Sequence, residues 1–147
     1  MKIKIHKRIF NKRYLELLKD RKENILILYG GAASGKSYAV AQKLIITLLQ
    51  GGRNILVIRK VDKTIKDSVF ALFTSIINQM GLSKEFDTNI TDRRITCKNG
   101  YQILMKGLDD PEKIKSITVS KGQITDCWIE ETTELTESDY NQLLLRL

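Results

Sequence analysis

The sequence predicts one α/β domain built around a mainly parallel sheet. Short apolar, β-prone runs alternate along the chain with longer stretches of helical periodicity, which is the pattern of strands connected by helices. A glycine-rich turn joins the first apolar run to the first helical stretch, an arrangement suited to holding an anion at a helix N-terminus. The chain has 147 residues, of which 42% are hydrophobic, and this is enough for one domain with a buried core.

The first strand and the first long helix are predicted on either side of that turn. Residues 10–18 have the pattern of a short helix packed ahead of the strand. Residues 25–29, Ile-Leu-Ile-Leu-Tyr, are short, apolar and β-prone, as expected for a buried parallel strand. From Lys36 to residue 49, apolar side chains recur at helical spacing. A strand, a glycine turn and a helix therefore follow one another in that order.

The turn itself matches a phosphate-binding motif. It reads Gly30-Gly31-Ala32-Ala33-Ser34-Gly35-Lys36-Ser37, which fits G-x-x-x-x-G-K-[ST], the Walker A phosphate loop. Glycine lets the backbone wrap an anion closely, and the start of the helix adds a partial positive charge. In such loops the lysine reaches the β- and γ-phosphates and the hydroxyl holds Mg²⁺, so these eight residues are predicted to bind ATP and Mg²⁺. The competing interpretation, a turn that binds nothing, is disfavoured by the flanking strand and helix.

The remaining elements follow the same alternation. A second strand is predicted at residues 54–58, and a long helix places apolar side chains from Ile65 to Met80 on one face before Gly81 ends it. Two strands, 94–98 and 101–105, are joined by Asn-Gly, a strong hairpin signal. Residues 124–129 form another apolar strand, and residues 136–139 resemble a capping box at the start of a last helix.

A pair of carboxylates supplies the second half of the predicted nucleotide site. Trp128-Ile129-Glu130-Glu131 ends an apolar strand, and open α/β sheets bind ligands beyond the carboxyl ends of their strands. Glu130 is assigned to the metal and Glu131 to activation of the attacking water. Asp126 lies four residues earlier, roughly 13 Å away at the rise of a strand, and is excluded. Because alternation separates adjacent side chains, the chain is expected to bend here; a merely solvated strand end is the alternative.

The charge balance favours a polyanionic partner. The formal net charge is +8 and the isoelectric point is about 9.5, so nucleic acid is the first candidate, although a merely basic protein would have the same balance. Arg59 ends the second strand on the same rim as the phosphate loop, where it is a candidate contact for phosphate or nucleobase and equally a surface arginine. Lys113 and Lys115 are weaker candidates for DNA backbone contacts, with a solvated charge run as the default interpretation.

The ordered set of motifs resembles the ATPase region of a phage terminase large subunit. The resemblance runs from about residue 10 to residue 147, and the Walker motifs alone would be shared with many ATPases. The segments that carry it are Gly30-Gly31, Ser34-Gly35-Lys36-Ser37, Ile58-Arg59-Lys60, Asp67-Ser68-Val69-Phe70, Gly107-Leu108-Asp109-Asp110-Pro111, Lys113-Ile114-Lys115-Ser116, Trp128-Ile129-Glu130-Glu131 and Thr133-Glu134-Leu135.

The resemblance implies an ATP-driven motor that packages viral double-stranded DNA into a preformed capsid. It implies a P-loop NTPase three-layer sandwich, with residues 1–24 as an N-terminal extension and helix and residues 25–147 as the core. It also implies Mg²⁺, a portal protein and a small terminase subunit as partners, and a homo-oligomer in the working motor. The expected location is the bacterial host cytoplasm, because no apolar signal segment follows the basic N-terminus. In the family the first glutamate of the Walker B pair serves the metal and the second serves catalysis, which agrees with Glu130 and Glu131.

Two departures from the family pattern matter. Many members carry an arginine inside the phosphate loop, where this chain has Ala32 and Ala33. The second departure is the end of the sequence at residue 147: the domain is expected to be truncated, without the nuclease domain of the family. In related P-loop ATPases the next strand inserts between the Walker A and Walker B strands. A gap is therefore expected at the centre of the sheet, together with weak turnover.

Three other functions compete with the packaging motor. A truncated prophage remnant would bind nucleotide or DNA without turnover. A P-loop kinase would need an arginine-rich lid and has no need of paired glutamates. A helicase is disfavoured because no helicase motifs are recognisable downstream. The two cysteines, Cys97 and Cys127, are too few and too isolated to predict a disulfide framework or a zinc site. No apolar run is long enough to predict a membrane span.

Overall fold

The computed structural model of the chain describes residues 3–19, 25–109 and 117–144. Its centre is a sheet of five strands in the order β2-β3-β4-β1-β5. The strands are β1 Asn54–Arg59, β2 Phe86–Asn89, β3 Arg94–Cys97, β4 Gln102–Gly107 and β5 Ile124–Ile129. The described helices are α1 Lys36–Gln50, α2 Ala71–Gln79 and α3 Glu137–Leu144.

The sheet is mixed, with a parallel centre. Strand β1 lies between β4 and β5 and is parallel to both, whereas β3 is antiparallel to β2 and β4. Among the described strands β3 alone runs against the others, so the prediction of a mainly parallel α/β sheet is confirmed. The predicted hairpin forms β3 and β4. Strand β2 was not predicted, because Phe86 is its only large apolar residue and its other three residues are exposed.

Helices cover both faces of the sheet and make three layers. On the face that we call the α1 face, α1 and α2 pack on alternate strand residues such as Ile55, Val57 and Ile103, and this cluster is the main core. On the opposite face, which we call the α3 face, Leu56, Ile58 and their neighbours pack against α3 and residues 117 and 119. From Ile55 in β1 and from Asp126 in β5 onward, the face of each residue can be read from its parity, because strand side chains alternate. A register shift before these residues places Ile124 on the α3 face.

The helix predicted across residues 65–80 is confirmed, with an irregular beginning. A short 3₁₀ turn at Asp62–Thr64 and a π-helical turn at Lys66–Phe70 lead into α2. Its apolar side chains are buried in the main core, and Gly81 follows with φ +70° at the helix end. The last predicted helix begins as expected: the Thr136 hydroxyl and the Asp139 carboxylate exchange hydrogen bonds with each other's backbone amides.

The segment before the phosphate loop corrects one prediction. Residues 25–29 were predicted to be a buried strand, but they belong to no strand, and Ile27 and Tyr29 are 78% and 93% exposed. Strand β5, which carries the Walker B residues, is an edge of the described sheet and pairs only with β1. An apolar, β-prone sequence becomes a strand only when a neighbour satisfies its backbone, and no described strand lies beside this one.

Residues 3–19, which we call the N-terminal arm, pack along α1. The short helix predicted at residues 10–18 is present as the 3₁₀ segment Lys12–Leu18, and a shorter 3₁₀ segment that was not predicted, Lys7–Ile9, precedes it. Leu17 is buried, while Ile9 and Phe10 contact the main core. The Gln42 amide of α1 donates to the Ile9 carbonyl at 3.1 Å, so polar contacts also hold the arm on the helix. Within the described residues no helix is long and apolar enough to cross a membrane.

Candidate functional site

The phosphate loop forms a tight turn that ends at α1. Gly35 has φ +82° and precedes the first helical residue, and Ala33 is left-handed at φ +56°. The Lys36 ammonium folds back over this loop and donates to the carbonyls of Gly30 and Gly31 at 2.7 and 2.9 Å, and to the Ser34 hydroxyl at 3.0 Å. The lysine is therefore held at the mouth of the loop, where a phosphate oxygen would compete with these backbone acceptors.

The N-terminal arm touches the loop from outside. The Tyr14 hydroxyl donates to the Ser34 carbonyl at 3.0 Å. The Tyr14 ring lies 3.7 Å from the position that a Cβ on Gly35 would occupy. The left-handed backbone at Gly35 favours glycine, whereas a Cβ at this position would make only ordinary van der Waals contact with the tyrosine ring. The motif gave no signal for Tyr14, because residue 14 is far from it in sequence and only the packing of the arm on α1 brings the two together.

The alternation of side chains along β5 places Glu130 on the face of the sheet where the phosphate loop lies. Trp128 packs edge-on against Phe73 of α2 with ring centroids 5.9 Å apart, so residue 128 points to the α1 face. The ladder continues for one more residue, since the Glu130 amide donates to the Ile58 carbonyl. Glu130 therefore points to the same face, and its Oε1 accepts a 2.7 Å hydrogen bond from the Ser37 hydroxyl. Residues 93 positions apart in the sequence meet at the rim of the sheet.

The Ser37–Glu130 contact has the dimensions of a magnesium site. Mg²⁺ binds oxygen at 2.0–2.1 Å in octahedral geometry, so adjacent ligands lie roughly 3 Å apart. The 2.7 Å between Ser37 Oγ and Glu130 Oε1 is close to that value. A hydroxyl and a carboxylate are also ligand types that this ion accepts. These two residues fit Mg²⁺, and the remaining positions would be taken by water and phosphate oxygens.

Glu131 leaves the strand by the bend that the sequence predicts. Its backbone is left-handed, with φ 54° and ψ 53°, and a short 3₁₀ turn at Thr132–Glu134 follows. Its carboxylate is exposed enough to meet solvent and forms an ion pair with the Arg59 guanidinium. The two adjacent glutamates thus have different partners, a hydroxyl for Glu130 and an arginine for Glu131.

Arg59 lies under this site with little access to solvent. Its side chain is 13% exposed, and it projects from the end of β1 to the α1 face, as Val57 does. One guanidinium nitrogen donates to Ser68 Oγ at 3.0 Å in the π-helical turn before α2. Its Nε is buried without a partner among the described residues. The sequence placed Arg59 on the correct rim but did not find its pairing with Glu131; its contact with nucleotide stays a prediction.

The other candidates lie apart from the loop. Asp126, which the sequence analysis excluded, forms an ion pair with Arg53 at 3.2 Å near the start of β1. Lys113 and Lys115 fall outside the described residues. Cys127 faces the α3 side of β5, and burial, with a smaller contribution from the Asp126 charge, raises the pKa of its thiol to about 12. This thiol is therefore a protonated packing residue at neutral pH.

A second carboxylate holds the rim together beside the site. Asp62 Oδ1 accepts from the Gly107 amide at 3.0 Å, and its Oδ2 pairs with Arg93. A Cβ at Gly107 would lie 2.5 Å from the Asp62 backbone, so only glycine fits there. The C-terminal ends of β1 and β4 are thereby fastened together. This keeps the rim that carries Arg59 in one position.

Comparison with known proteins identifies the family. The family model described as "Phage terminase large subunit" matches residues 22–147. The chain belongs to the phage terminase large subunit family. It is 39% identical over 120 residues to the PBSX phage terminase large subunit of Bacillus subtilis (strain 168), a match that covers 82% of this chain and 27% of that protein. It is 34% identical over 109 residues to the large terminase subunit of Bacillus phage SPP1, covering 74% and 26% of the two chains.

Solved structures of a terminase share the fold. Crystal form 3 of the large terminase from a thermophilic bacteriophage aligns with a TM-score of 0.65 at 15% identity, over 93% of this chain and 35% of that one. The same phage protein in complex with ADP aligns with a TM-score of 0.59 at 16% identity, over 80% and 29%. The chain thus spans about a quarter of the length of these curated relatives and about a third of this solved terminase.

Proposed function

We propose that this chain is the ATP-binding and ATP-hydrolysing part of a viral DNA-packaging terminase, which drives double-stranded DNA into a capsid. The observation that carries the proposal is the 2.7 Å contact between Ser37 of the phosphate loop and Glu130 at the end of β5. It brings together the phosphate loop and the first Walker B glutamate, which lie far apart in the sequence, and so supports a shared nucleotide site. Membership of the terminase large subunit family, and the ADP complex of the thermophilic phage terminase, support the same assignment.

The roles follow from where each group lies. Lys36 is held above the loop and would exchange its backbone acceptors for the β- and γ-phosphates of ATP. Ser37 and Glu130 would hold Mg²⁺, which neutralises charge on the phosphates when bound. The backbone of residues 30–35 and the N-terminus of α1 would bind the remaining phosphate oxygens. Ala32 and Ala33 supply no arginine within the loop, so a cation from elsewhere is needed to stabilise the transition state.

Glu131 is the proposed general base for the attacking water. A carboxylate activates water only when one of its oxygens can accept the water proton. In this structure Arg59 pairs with Glu131 and is itself held by Ser68, so the arginine fixes where that carboxylate points. Arg59 is thus a positioning residue for Glu131 in this proposal, in addition to the nucleotide contact predicted for it.

The proposed partners are those of a packaging motor. They are double-stranded DNA, a portal protein, a small terminase subunit and further copies of the large subunit. The chain's net charge of +8 supports the polyanionic partner. The family relationship alone supports the portal, the small subunit and the oligomer.

A second candidate function is binding without turnover. One observation favours it: residues 25–29, which lead into the phosphate loop, have no described strand beside them. Errors of about 1 Å in a catalytic site can cost on the order of a hundredfold in rate. The 147-residue chain alone is therefore expected to bind nucleotide weakly, to self-associate through unpaired edges and to turn over ATP near background.

Two substitutions test the nucleotide site. Lys36→Ala should abolish or strongly weaken binding of a fluorescent ATP analogue, because it removes the charge that faces the phosphates. Glu131→Gln should keep that binding and lose most hydrolysis, measured in a chimera that continues into the corresponding region of the PBSX large subunit. Glu134→Gln is the matched control, since Glu134 is an exposed carboxylate three residues away.

The outcomes separate the two candidate functions. Equal affinity of the Lys36→Ala and parent chains for the analogue contradicts the nucleotide site altogether. Normal ATP hydrolysis by the Glu131→Gln chimera would mean that another residue is the general base. A chimera that binds the analogue but never exceeds background turnover favours binding without turnover.

A further inference from the structure

The positive charge of the chain is concentrated in the N-terminal arm. Residues 3–19 contain six Lys or Arg residues and one Asp or Glu, whereas the rest of the described chain contains 13 and 12. All six basic side chains of the arm are on exposed residues. They are Lys4, Lys7, Arg8, Lys12, Arg13 and Lys19. A short segment therefore carries most of the excess charge of the described chain.

Most of these cations form no ion pair with another of the described residues. Lys19 pairs with Glu16, which is itself exposed. The other five have no ion pair with any carboxylate of the described residues. Elsewhere the arginines and lysines near the rim are engaged, as in Arg59–Glu131, Lys60–Asp139 and Arg93–Asp62. The arm therefore presents a field that no described carboxylate neutralises.

The apolar side of the arm is already occupied. Ile5, Ile9 and Phe10 pack against the main core and Leu17 is buried. A membrane-binding segment inserts such side chains among lipid chains, and here these four pack within the protein. The cations remain exposed, which suits the phosphates of nucleic acid better than the interior of a bilayer.

A second copy of the chain is a less suitable partner for the cations of the arm than nucleic acid is. Residues 117–144 are acidic, with six carboxylates and one lysine. Four of those carboxylates already have partners in the same chain: Asp126, Glu130, Glu131 and Asp139. The two that remain, Glu134 and Glu137, are too few to neutralise five cations.

We propose that the N-terminal arm is a binding surface for the phosphate backbone of duplex DNA. The proposal rests on the proposed packaging function for its choice of polyanion, and it places the contact on residues 3–19 instead of on Lys113 and Lys115. The surface lies beside the nucleotide site, because Tyr14 of the same arm donates to the Ser34 carbonyl of the phosphate loop. Backbone contacts of this kind have no sequence preference and weaken steeply with salt.

The test compares two sets of charge reversals in the 147-residue chain. The arm variant changes Lys7, Arg8, Lys12 and Arg13 to Glu, and the matched control changes Lys63, Lys66, Lys84 and Lys98 to Glu. All eight are exposed, and both variants lose the same net charge. Fluorescence anisotropy with a labelled 30-base-pair duplex of random sequence measures affinity between 50 and 200 mM NaCl, and circular dichroism melts check folding. The same two sets changed to Gln replace any variant that does not fold.

The expected result is a loss of at least tenfold in affinity for the arm variant and less than threefold for the control. The slope of log K against log salt should fall in magnitude by about 3.6 for the arm variant, at roughly 0.9 for each of the four lost phosphate contacts. Equal weakening by the two variants overturns the proposal, and so does unchanged binding by the arm variant.

Other outcomes identify a different partner and also overturn the proposal. One is tighter binding of the parent to vesicles containing phosphatidylserine than to the duplex. Another is self-association, seen by light scattering, that only the arm variant loses. If the parent binds no DNA at all, the packaging function loses its substrate as well. If the parent binds DNA and the arm variant binds it equally well, the arm is not the DNA-binding surface, but the proposed packaging function is not affected.

Discussion

Strand β1 and residues 25–29 have similar sequences, but the first is a paired, buried strand and the second belongs to no strand. Both are short apolar runs with β-prone residues, and both precede a turn at the rim of the sheet. β1 lies between two parallel neighbours, and four of its residues from Ile55 onward are at most 1% exposed. Residues 25–29 have no described neighbour and are largely exposed. Local propensity thus makes a segment able to form a strand, whereas pairing with a neighbouring strand determines whether it does so.

The phosphate loop is nevertheless held in place by contacts from outside the sheet. Tyr14 holds the Ser34 carbonyl, and Ser37 at the start of α1 meets Glu130 at the end of β5. Helix α1 is buried against the core through Ile45 and Leu48. The loop therefore has one firm side, the helix, and one unsupported side, the segment before Gly30.

Hydrogen exchange should show the largest contrast between the two segments. Strand β1 is paired with β4 on one side and with β5 on the other, so exchange of its amides requires disruption of the sheet, whereas the amides of residues 25–29 make no backbone hydrogen bond among the described residues. We expect β1 to exchange more slowly by at least about a thousandfold, as for a core strand in a marginally stable domain. Mass spectrometry of peptides from the two segments measures this. Comparable protection would mean that residues 25–29 are paired in solution.

Matched Ile→Ala substitutions should sharpen the comparison. Ile55 is fully buried in β1, so Ile55→Ala leaves a cavity and should lower the free energy of unfolding by about 2–5 kcal/mol. Ile27 is 78% exposed, so Ile27→Ala should change that free energy by no more than about 0.5 kcal/mol. Urea unfolding followed by tryptophan fluorescence measures both. A large loss for Ile27→Ala would show a buried partner for this segment.

Tyr14→Phe tests whether the N-terminal arm positions the phosphate loop. Removing the hydroxyl leaves the Ser34 carbonyl without this donor and should weaken binding of the ATP analogue about five- to tenfold, about 1 kcal/mol. Tyr38→Phe is the control, since the Tyr38 hydroxyl joins α1 to Gln79 away from the loop. Titration should show a change for Tyr14→Phe only. If both variants bind alike, the arm does not position the loop.

The smallest expected effect concerns the paired end of β1. Asp139 of α3 accepts from Lys60 and from the Thr136 amide, and these hydrogen bonds hold its pKa near 2, below the ordinary 3.8. A lowered pKa adds stability that is present above about pH 4 and is lost as the pH falls toward 2. Asp139→Asn should therefore destabilise by about 1 kcal/mol at pH 6, and this difference should shrink in acid. Urea unfolding at pH 6 and pH 2.5 measures it, with Glu137→Gln as the control.

Much of the candidate site was predictable because its residues belong to short sequence motifs. The phosphate loop, the two glutamates and the bend at Glu131 follow from residues close together in the sequence. The exclusion of Asp126 followed from strand rise, and its pairing with Arg53 agrees. The roles of Glu130 and Glu131 remain predictions, supported by their separate partners. Arg59 was placed on the correct rim by its position at a strand end.

The sequence alone determined the alternation of strands and helices, the hairpin, the helix ends and the phosphate loop, because each depends on residues within a few positions of one another. The contacts between these elements depend on how the chain folds and could not be read from local patterns. In the folded chain Ser37 donates a hydrogen bond to Glu130, Arg59 forms an ion pair with Glu131, and the Tyr14 hydroxyl donates to the phosphate loop. The tertiary structure also left residues 25–29 without a described strand partner, because a strand needs a neighbour for its backbone and no local pattern can supply one.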